Sequence, residues 1–268
     1  MMNSRANIRP YNPHVLIGNW FEDRVMEEEV LSDFLHKRYT GQLATQKLTE
    51  VERMSQSLPL SISGGDGLLR FGHQILLVNT WTHSAKFTGE KSQLNCCLAT
   101  GITHTVTTNG GTNEVTATGT TMIRSMLRTV FIIRRSNLSV DSEPVRYGDE
   151  IMLHDPNGEL FLTCVKSSTR SARTCDVIFT NNPGRNSVWI VMHPSIHLRM
   201  ELDGSEVKID DKVVLAHAST NKCLSVNEEH SNRSSYGHEY ELICELSTGS
   251  ISSYNSPILW KFQTQSAY

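Results

Sequence analysis

The feature that most constrains this fold is a ten-residue pattern that occurs three times along the chain. It stands as RFGHQILLVN at 70–79, RYGDEIMLHD at 146–155 and KIDDKVVLAH at 208–217. In each copy a residue that suits a tight turn precedes alternating apolar residues, as in a β-strand with one buried face. The turn residues are Gly72, Gly148 and Asp210. A chain that repeats such a unit is expected to bury the apolar faces of the copies against one another.

A second pattern follows each copy and places one aromatic residue among apolar neighbours. Phe131 lies in TVFII, Trp189 in SVWIV and Trp260 in ILWKF. The repeats resemble those of MIR-type β-trefoils, so we expect a mainly β fold whose three units close a barrel without exposed strand edges. A β-sandwich is the alternative topology. The three pseudo-repeats span about 68–135, 146–193 and 207–264.

The N-terminal part of the chain has a different pattern. Pro10 and Pro13 favour an extended arm over residues 1–16. An apolar stripe of helical period, with acidic residues early and basic residues late, predicts an α-helix over 17–41, and a weaker helical pattern covers 44–57. The stripe consists of Phe21, Val25, Val30, Leu31, Phe34 and Leu35. The expected domains are an arm with a helical segment at 1–60 and a β-trefoil at 61–268.

Charge and hydropathy exclude several classes of partner. The chain has 25 Lys and Arg against 28 Asp and Glu, a net charge of −3. Proteins that bind nucleic acid or anionic membranes usually carry a basic excess, so we expect neither partner. The apolar runs are shorter than the roughly 20 residues of a membrane helix, and the N-terminus lacks a secretory signal, which favours the cytoplasm. The six cysteines form no C-x-x-C pair and are expected to be buried free thiols.

No sequence signature of a catalytic, cofactor-binding or metal site is present, so we expect no enzyme activity and no cofactor. His193 and His197 have a spacing seen in metal sites, but Pro194 disfavours a helix that would align them. Cys96 and Cys97 are explained as strand residues that face opposite ways. The other polar or glycine-rich candidates are interpreted as turns: 64–67, Asp149–Glu150 and Asp210–Asp211.

Residues 16–43 carry the most specific motif of the chain. The stretch LIGNWFEDRVMEEEVLSDFLHKRYTGQL combines an IGNW turn, an acidic EEE helix, a DFL segment and a basic end before Gly41. These residues resemble the N-terminal signature of the cilia- and flagella-associated protein 161 family. The resemblance continues at 70–79 and at HLRMELDG, 197–204, and it is weakest in the insertion at 80–125.

This resemblance implies a non-enzymatic structural role. Members of the family are similar to microtubule inner proteins, so we expect the chain in the cytoskeleton of the ciliary or flagellar axoneme. There it would contact tubulin and other microtubule inner proteins in the lumen of the doublet microtubule, stabilise the doublet and support ciliary beating. The expected partner-facing features are residues 1–16, the exposed side of the helix at 20–39 and the loop at 100–122. Capping the barrel is the alternative role of the helix, and a cytosolic ligand- or carbohydrate-binding module is the alternative function.

Overall fold

The chain forms two units in the computed structural model, Met1–Glu50 and Val51–Tyr268, which are described separately. The structure describes residues 19–84, 91–101, 106–107, 113–137, 142–157, 159–166, 173–246 and 256–265. The predicted extended arm at 1–16 lies outside these residues.

Two helices follow the predicted N-terminal patterns. α1 is Asn19–Tyr39 and α2 is Ala44–Met54. α1 has an acidic first turn and a basic last turn, which complements the helix dipole. Gly41 ends α1 in the left-handed conformation, with φ of +70°, while the amide of Gln42 donates to the carbonyl of Lys37 at 2.7 Å.

The second unit is mainly β, as the alternating apolar patterns predict. Short 3-10 helices occur at Arg185–Ser187 and Ile196–Leu198. The strands are β1 (Gln74–Ser84), β2 (Lys91–Thr100), β3 (Val106–Thr107), β4 (Asn113–Thr120), β5 (Phe131–Arg135), β6 (Glu150–His154), β7 (Phe161–Val165), β8 (Thr174–Thr180), β9 (Trp189–Met192), β10 (Lys212–His217), β11 (Cys223–Ser234), β12 (Gly237–Glu245) and β13 (Trp260–Gln263).

Six of these strands close a ring of antiparallel pairs. Going round the ring, β1 pairs with β5, β5 with β6, β6 with β9, β9 with β10, β10 with β13, and β13 with β1. The two sequence patterns of each repeat are paired partners in the ring, in the same register each time. The register pairs are Ile75 with Phe131, Ile151 with Trp189, and Val213 with Trp260.

The ring has a threefold hydrogen-bond arrangement at one end. The amide of Leu69 donates to the carbonyl of Val207, that of Val207 to Val145, and that of Val145 back to Leu69, at 2.8–2.9 Å. Each of these residues stands three positions before the turn residue of its repeat and is fully buried. The three repeats therefore meet at equivalent backbone positions, as expected for units that cannot bury their apolar faces alone.

Three hairpins extend from the ring and pair with one another. β2 pairs with β4, β7 with β8, and β11 with β12. β4, β8 and β12 then pair in a triangle, β4 with β8, β8 with β12, and β12 with β4. The insertion predicted at 80–125 thus supplies the first of three equivalent hairpins, although the Asn-Gly-Gly turn at 109–111 lies outside the described residues.

The core contains the aromatic residues of the repeats. Phe131, Trp189 and Trp260 are fully buried. The indole Nε1 of Trp189 donates to the carbonyl of Leu162, and that of Trp260 to the carbonyl of Leu224, each at 2.9 Å. Because both indoles have their hydrogen bond inside the core, the two tryptophans are structural, as their apolar neighbours predict.

Candidate functional site

A groove of about 820 Å³ opens where the three hairpins meet. Strands β4, β8 and β12 and the far half of β11 form its walls. Among the described residues that line it there is no Lys or Arg, whereas four are acidic. The lining residues are Gly101, Thr116, Ala117, Thr118, Asp176, Val177, Ile178, Glu229, His230, Ser231, Asn232, Ser234, Glu239, Tyr240, Glu241 and Leu242.

A buried ion pair lies at the base of the groove. Arg128 is fully buried, and its Nη2 contacts Oε1 of Glu239, which is also buried. Nε and Nη2 of Arg128 both donate to the carbonyl of Thr100, at 3.0 and 2.9 Å, and the guanidinium lies 3.8 Å from the centre of the Tyr236 ring. The pair therefore ties the segment before β5 to the first and third hairpins.

An irregularity in the third hairpin shapes one wall. The register between β11 and β12 shifts between Asn227 and Ser231, so that the intervening residues are additional on β11. Asn227 is held by two contacts: its Nδ2 donates to Oε2 of Glu241 at 2.9 Å, and its Oδ1 accepts from the amide of Glu229 at 3.2 Å. Bulges of this kind redirect side chains, and here they bring Glu229 and His230 to the groove.

The opposite wall contains part of the segment predicted to face a partner. Gly101 and Thr116 close the base of the first hairpin, with the Gly101 amide donating to the Thr116 carbonyl at 2.7 Å. A Cβ on Gly101 would lie 2.3 Å from Oγ1 of Thr116, so this close approach requires glycine. The predicted loop 100–122 therefore contributes to the groove through its described ends, while 102–105 and 108–112 lie outside the described residues.

Helix α1 presents the second candidate surface. The second half of the predicted apolar stripe is exposed, whereas Val25 is half-buried: Val30 is 64% and Phe34 45% accessible. The side chain of Phe21 lies outside the described residues. The other exposed apolar members of this helix are Met26, Leu31, Leu35 and Tyr39. An exposed apolar stripe bordered by charged residues is typical of a helix that binds a partner through that face.

The remaining sequence candidates make local contacts or lie on the surface. His193 accepts from the Ser195 amide at 3.2 Å and packs edge-on against Tyr147, while His197 is exposed. Within the described residues no group of three or more His, Cys, Asp or Glu is arranged to hold a metal ion. The Asp149 carboxylate accepts from the Arg146 amide at 2.8 Å, and the amide of Gly67 donates to the carbonyl of Gly64 at 3.0 Å, as expected for turns.

Cys96 and Cys97 face opposite sides of β2, as predicted. Cys96 belongs to the main core, and Cys97 packs with Leu76 and Val130 in a separate cluster. Burial raises the pKa of Cys97 to about 12 and the pKa of Cys96 well above its usual range, so both stay protonated. All six cysteines are buried free thiols, in agreement with the sequence prediction.

Sequence reasoning did not identify the groove or its ion pair. Asp176 lies on the second hairpin, whereas Glu239 and Glu241 lie on the third, and no local pattern connects the two hairpins. One available signal was Arg128, an arginine between apolar residues in MLRTV, because a charged residue in such a run needs a buried partner. No helix among the described residues is long and apolar enough to cross a membrane.

Comparison with known proteins identifies relatives of the whole chain. A family model described as Cilia- and flagella-associated protein 161-like domain matches residues 152–264. The Danio rerio protein named Cilia- and flagella-associated protein 161 is 30% identical over 276 residues, covering 97% of this chain and 89% of that protein. The Bos taurus protein of the same name is 29% identical over 245 residues, covering 87% and 75%.

Solved structures share the fold at low sequence identity. A Caenorhabditis elegans protein of unknown function, solved by structural genomics, has a TM-score of 0.52 and 16% identity, covering 75% of this chain and 99% of its own. The SDF2-like protein from Arabidopsis thaliana has a TM-score of 0.50 and 14% identity, covering 73% and 94%. At these identities the similarity concerns the fold alone.

Proposed function

This chain belongs to the cilia- and flagella-associated protein 161 family, and on that premise we propose that it is a non-enzymatic structural protein of motile cilia and flagella. More specifically, we propose that the chain is a microtubule inner protein of the axonemal doublet. It binds tubulin and neighbouring inner proteins in the lumen, stabilises the doublet and supports ciliary beating. A permanent scaffold of this kind uses extended contact surfaces instead of a catalytic pocket.

We further infer that the second unit is a MIR-like β-trefoil, the scaffold on which these contacts are carried. Three features support this: the closed ring of six strands, the triangle formed by β4, β8 and β12, and the cyclic hydrogen bonds among Leu69, Val145 and Val207. Such closure leaves few open strand edges in the ring, so partner binding depends on side-chain surfaces and on unit Met1–Glu50.

The observation that carries the partner-binding proposal is the exposed apolar stripe of α1. Val30 and Phe34 lie one helical turn apart, with Met26 one turn before them on the same side. The bordering residues Glu27–Glu29 and Lys37–Arg38 carry both charge signs. A stripe of this width fits a groove on a partner protein, where burying one such side chain contributes about 1.5–3 kcal/mol.

The test is retention in the axoneme. Tagged chain is expressed in ciliated cells that lack their own family member, and demembranated axonemes are washed with increasing salt and followed by immunoblot. We expect the protein to remain with the doublets until conditions that open or dissolve them. Release with the soluble matrix in the first wash would contradict the proposal.

A matched pair of variants tests the stripe itself. Val30→Glu/Phe34→Glu adds two charges to the side that carries Met26, Val30 and Phe34. Ser32→Glu/His36→Glu adds two carboxylates with the same spacing on the side away from these three residues, about 200° and 240° around the helix from Val30. We expect the first variant to be released at lower salt than wild type and the second to be retained. Equal retention of both would exclude the stripe as the binding face.

The alternative function, a ligand- or carbohydrate-binding module, is favoured by the groove alone. Tyr240 is the one Phe, Tyr or Trp among the described lining residues, and it packs edge-on against Trp81, while the repeat tryptophans Trp189 and Trp260 are buried. Micromolar binding of the purified chain on a glycan array, lost in Tyr240→Ala, would favour this function over the structural one.

A further inference from the structure

Three cysteines from two hairpins meet inside the core. Cys164 is on β7, Cys175 on β8 and Cys244 on β12, and all three belong to the main core cluster. Cys175 and Cys244 are directly opposite each other in the antiparallel ladder between β8 and β12. Opposed residues in such a ladder have Cα atoms about 4.5–5.5 Å apart, which lies within the range of about 4.4–6.8 Å found in disulfides.

The cluster contains a buried cation. Nζ of Lys222 donates a hydrogen bond to Sγ of Cys175 at 3.0 Å, and Lys222 is only 8% exposed. A lysine beside a cysteine is a common feature of reactive thiols, since its positive charge faces the sulfur on which negative charge develops. Cys175 is also the most accessible of the three sulfur-bearing residues, at 5%.

The other two sulfurs share a hydrogen bond. A hydrogen bond from Cys244, supported by His217 and Cys175, outweighs burial and lowers the pKa of Cys164 to about 5. Burial is the main reason why the pKa of Cys244 is raised well above its usual range, and the contact with Cys164 adds to this effect. The proton of this contact is therefore held more tightly by Cys244 than by Cys164.

The groove brings solvent close to these thiols. Val177 on β8 and Leu242 on β12 line the groove, and each stands two residues from a cysteine on the same face of its strand. The groove is therefore the side from which a small oxidant such as hydrogen peroxide would approach Cys175.

We propose that Cys175 and Cys244 form a peroxide-sensitive dithiol that closes to a reversible disulfide between the second and third hairpins. The Cys175 sulfur attacks one oxygen of the peroxide, the O–O bond breaks and water leaves with the thiol proton, which produces a sulfenic acid. Cys244 then attacks the Cys175 sulfur and releases its thiol proton. The S–S bond forms as the S–O bond breaks, and the leaving hydroxide takes that proton as a second water.

Two thiols are thereby oxidised by two electrons, and one peroxide is reduced to two waters. Cys164 orients Cys244 through their hydrogen bond and is not part of the new bond, because β8 lies between β7 and β12 and separates the Cys164 backbone from that of Cys244. Lys222 is a positioning residue for the first step.

The test uses the purified full chain, hydrogen peroxide in graded amounts and alkylation after denaturation. The six thiols of the reduced chain should fall to four, with one crosslinked peptide pair containing Cys175 and Cys244, and dithiothreitol should restore all six. Retention of six alkylated thiols, or a disulfide that joins any other pair, would overturn the proposal.

Substitutions distinguish the two cysteines that form the disulfide from the residues that only speed its formation, and the test does not depend on any single variant being stable. Cys175→Ser and Cys244→Ser should each abolish the crosslink, whereas Cys97→Ala, a buried thiol of the first hairpin, should leave its yield and rate unchanged. Cys164→Ala and Lys222→Met should still form the same crosslink, but on the order of tenfold more slowly or worse. An unchanged rate in both slow variants would show that proximity alone, and not this cluster, drives oxidation.

Discussion

At the scale of single residues, Arg128 stabilises the base of the groove through a buried ion pair. Its guanidinium is fully buried, and its charge is matched by Glu239, a residue 111 positions away in the chain. Removing one member of a buried ion pair leaves an uncompensated charge, whereas replacing both with apolar residues removes the desolvation cost as well. The two kinds of substitution should therefore differ strongly.

A double-mutant cycle tests this difference. Glu239→Leu should lower the free energy of unfolding by about 3–5 kcal/mol, because Arg128 stays buried without its partner. The double variant Arg128→Met/Glu239→Leu should lower the free energy of unfolding by clearly less than the sum of the two single substitutions. These free energies are measured by denaturant unfolding. The control is Glu241→Gln, which should lower the free energy of unfolding by under about 1 kcal/mol. Strict additivity would contradict the coupling.

At the scale of elements, the turn that enters each repeated strand decides the local geometry. Gly72, Gly148 and Asp210 all have positive φ, of 83°, 94° and 66°. Their amides donate to equivalent carbonyls of the ring, those of Ile133, Val191 and Phe262, at 2.8–3.0 Å. The third repeat thus has Asp210 in the left-handed conformation that the first two repeats give to glycine. Glycine adopts this conformation at little cost, and aspartate tolerates it better than most other L-residues.

Substitutions at two of these turns should lower the free energy of unfolding by different amounts. Gly148→Ala should lower the free energy of unfolding by about 1–3 kcal/mol, since the new Cβ is strained and would lie 2.4 Å from Oδ1 of Asp203. Asp210→Ala should lower the free energy of unfolding by about 1 kcal/mol, and Asp210→Gly should lower it by less than that. Urea unfolding measures all three. A Gly148→Ala variant as stable as wild type would show that the turn relaxes freely.

At the scale of the whole molecule, closure of the ring depends on the last described strand. β13 pairs with both β1 and β10, so it joins the first repeat to the third. The ring strands, the hairpins and the cyclic contacts of Leu69, Val145 and Val207 all belong to unit Val51–Tyr268. Cooperative folding should therefore require the C-terminal segment and not residues 1–50.

Two truncations distinguish these requirements. The fragment 51–268 should unfold in one sharp thermal transition, as expected of a single cooperative domain. Removal of 256–268 opens the ring between β1 and β10 and exposes two strand edges, so this chain should lose cooperative unfolding and aggregate. Circular dichroism with light scattering provides the readout. A folded, monomeric chain without 256–268 would contradict the closed ring as the source of stability.

The sequence alone was sufficient for features that depend on neighbouring residues. The threefold pattern predicted both the repeated strands and the aromatic strands, and the structure pairs them as Ile75 with Phe131 and Ile151 with Trp189. The helical period of 17–41 predicted α1, and the paired cysteines of β2 were correctly assigned to opposite faces. These signals are local because strand alternation, helical period and turn conformation act over a few residues.

Only the tertiary structure decided which distant side chains meet. The helical period did not show that the α1 stripe is exposed. The choice of Glu239 as the partner of Arg128 and the meeting of Cys175 with Cys244 have no counterpart in any local pattern. These contacts exist because ring closure brings three hairpins from separate repeats together, and β4, β8 and β12 then pair side by side. The sequence by itself determined the repeated unit, and closure of the three units determined the groove and the thiol cluster, because those residues become neighbours only after closure.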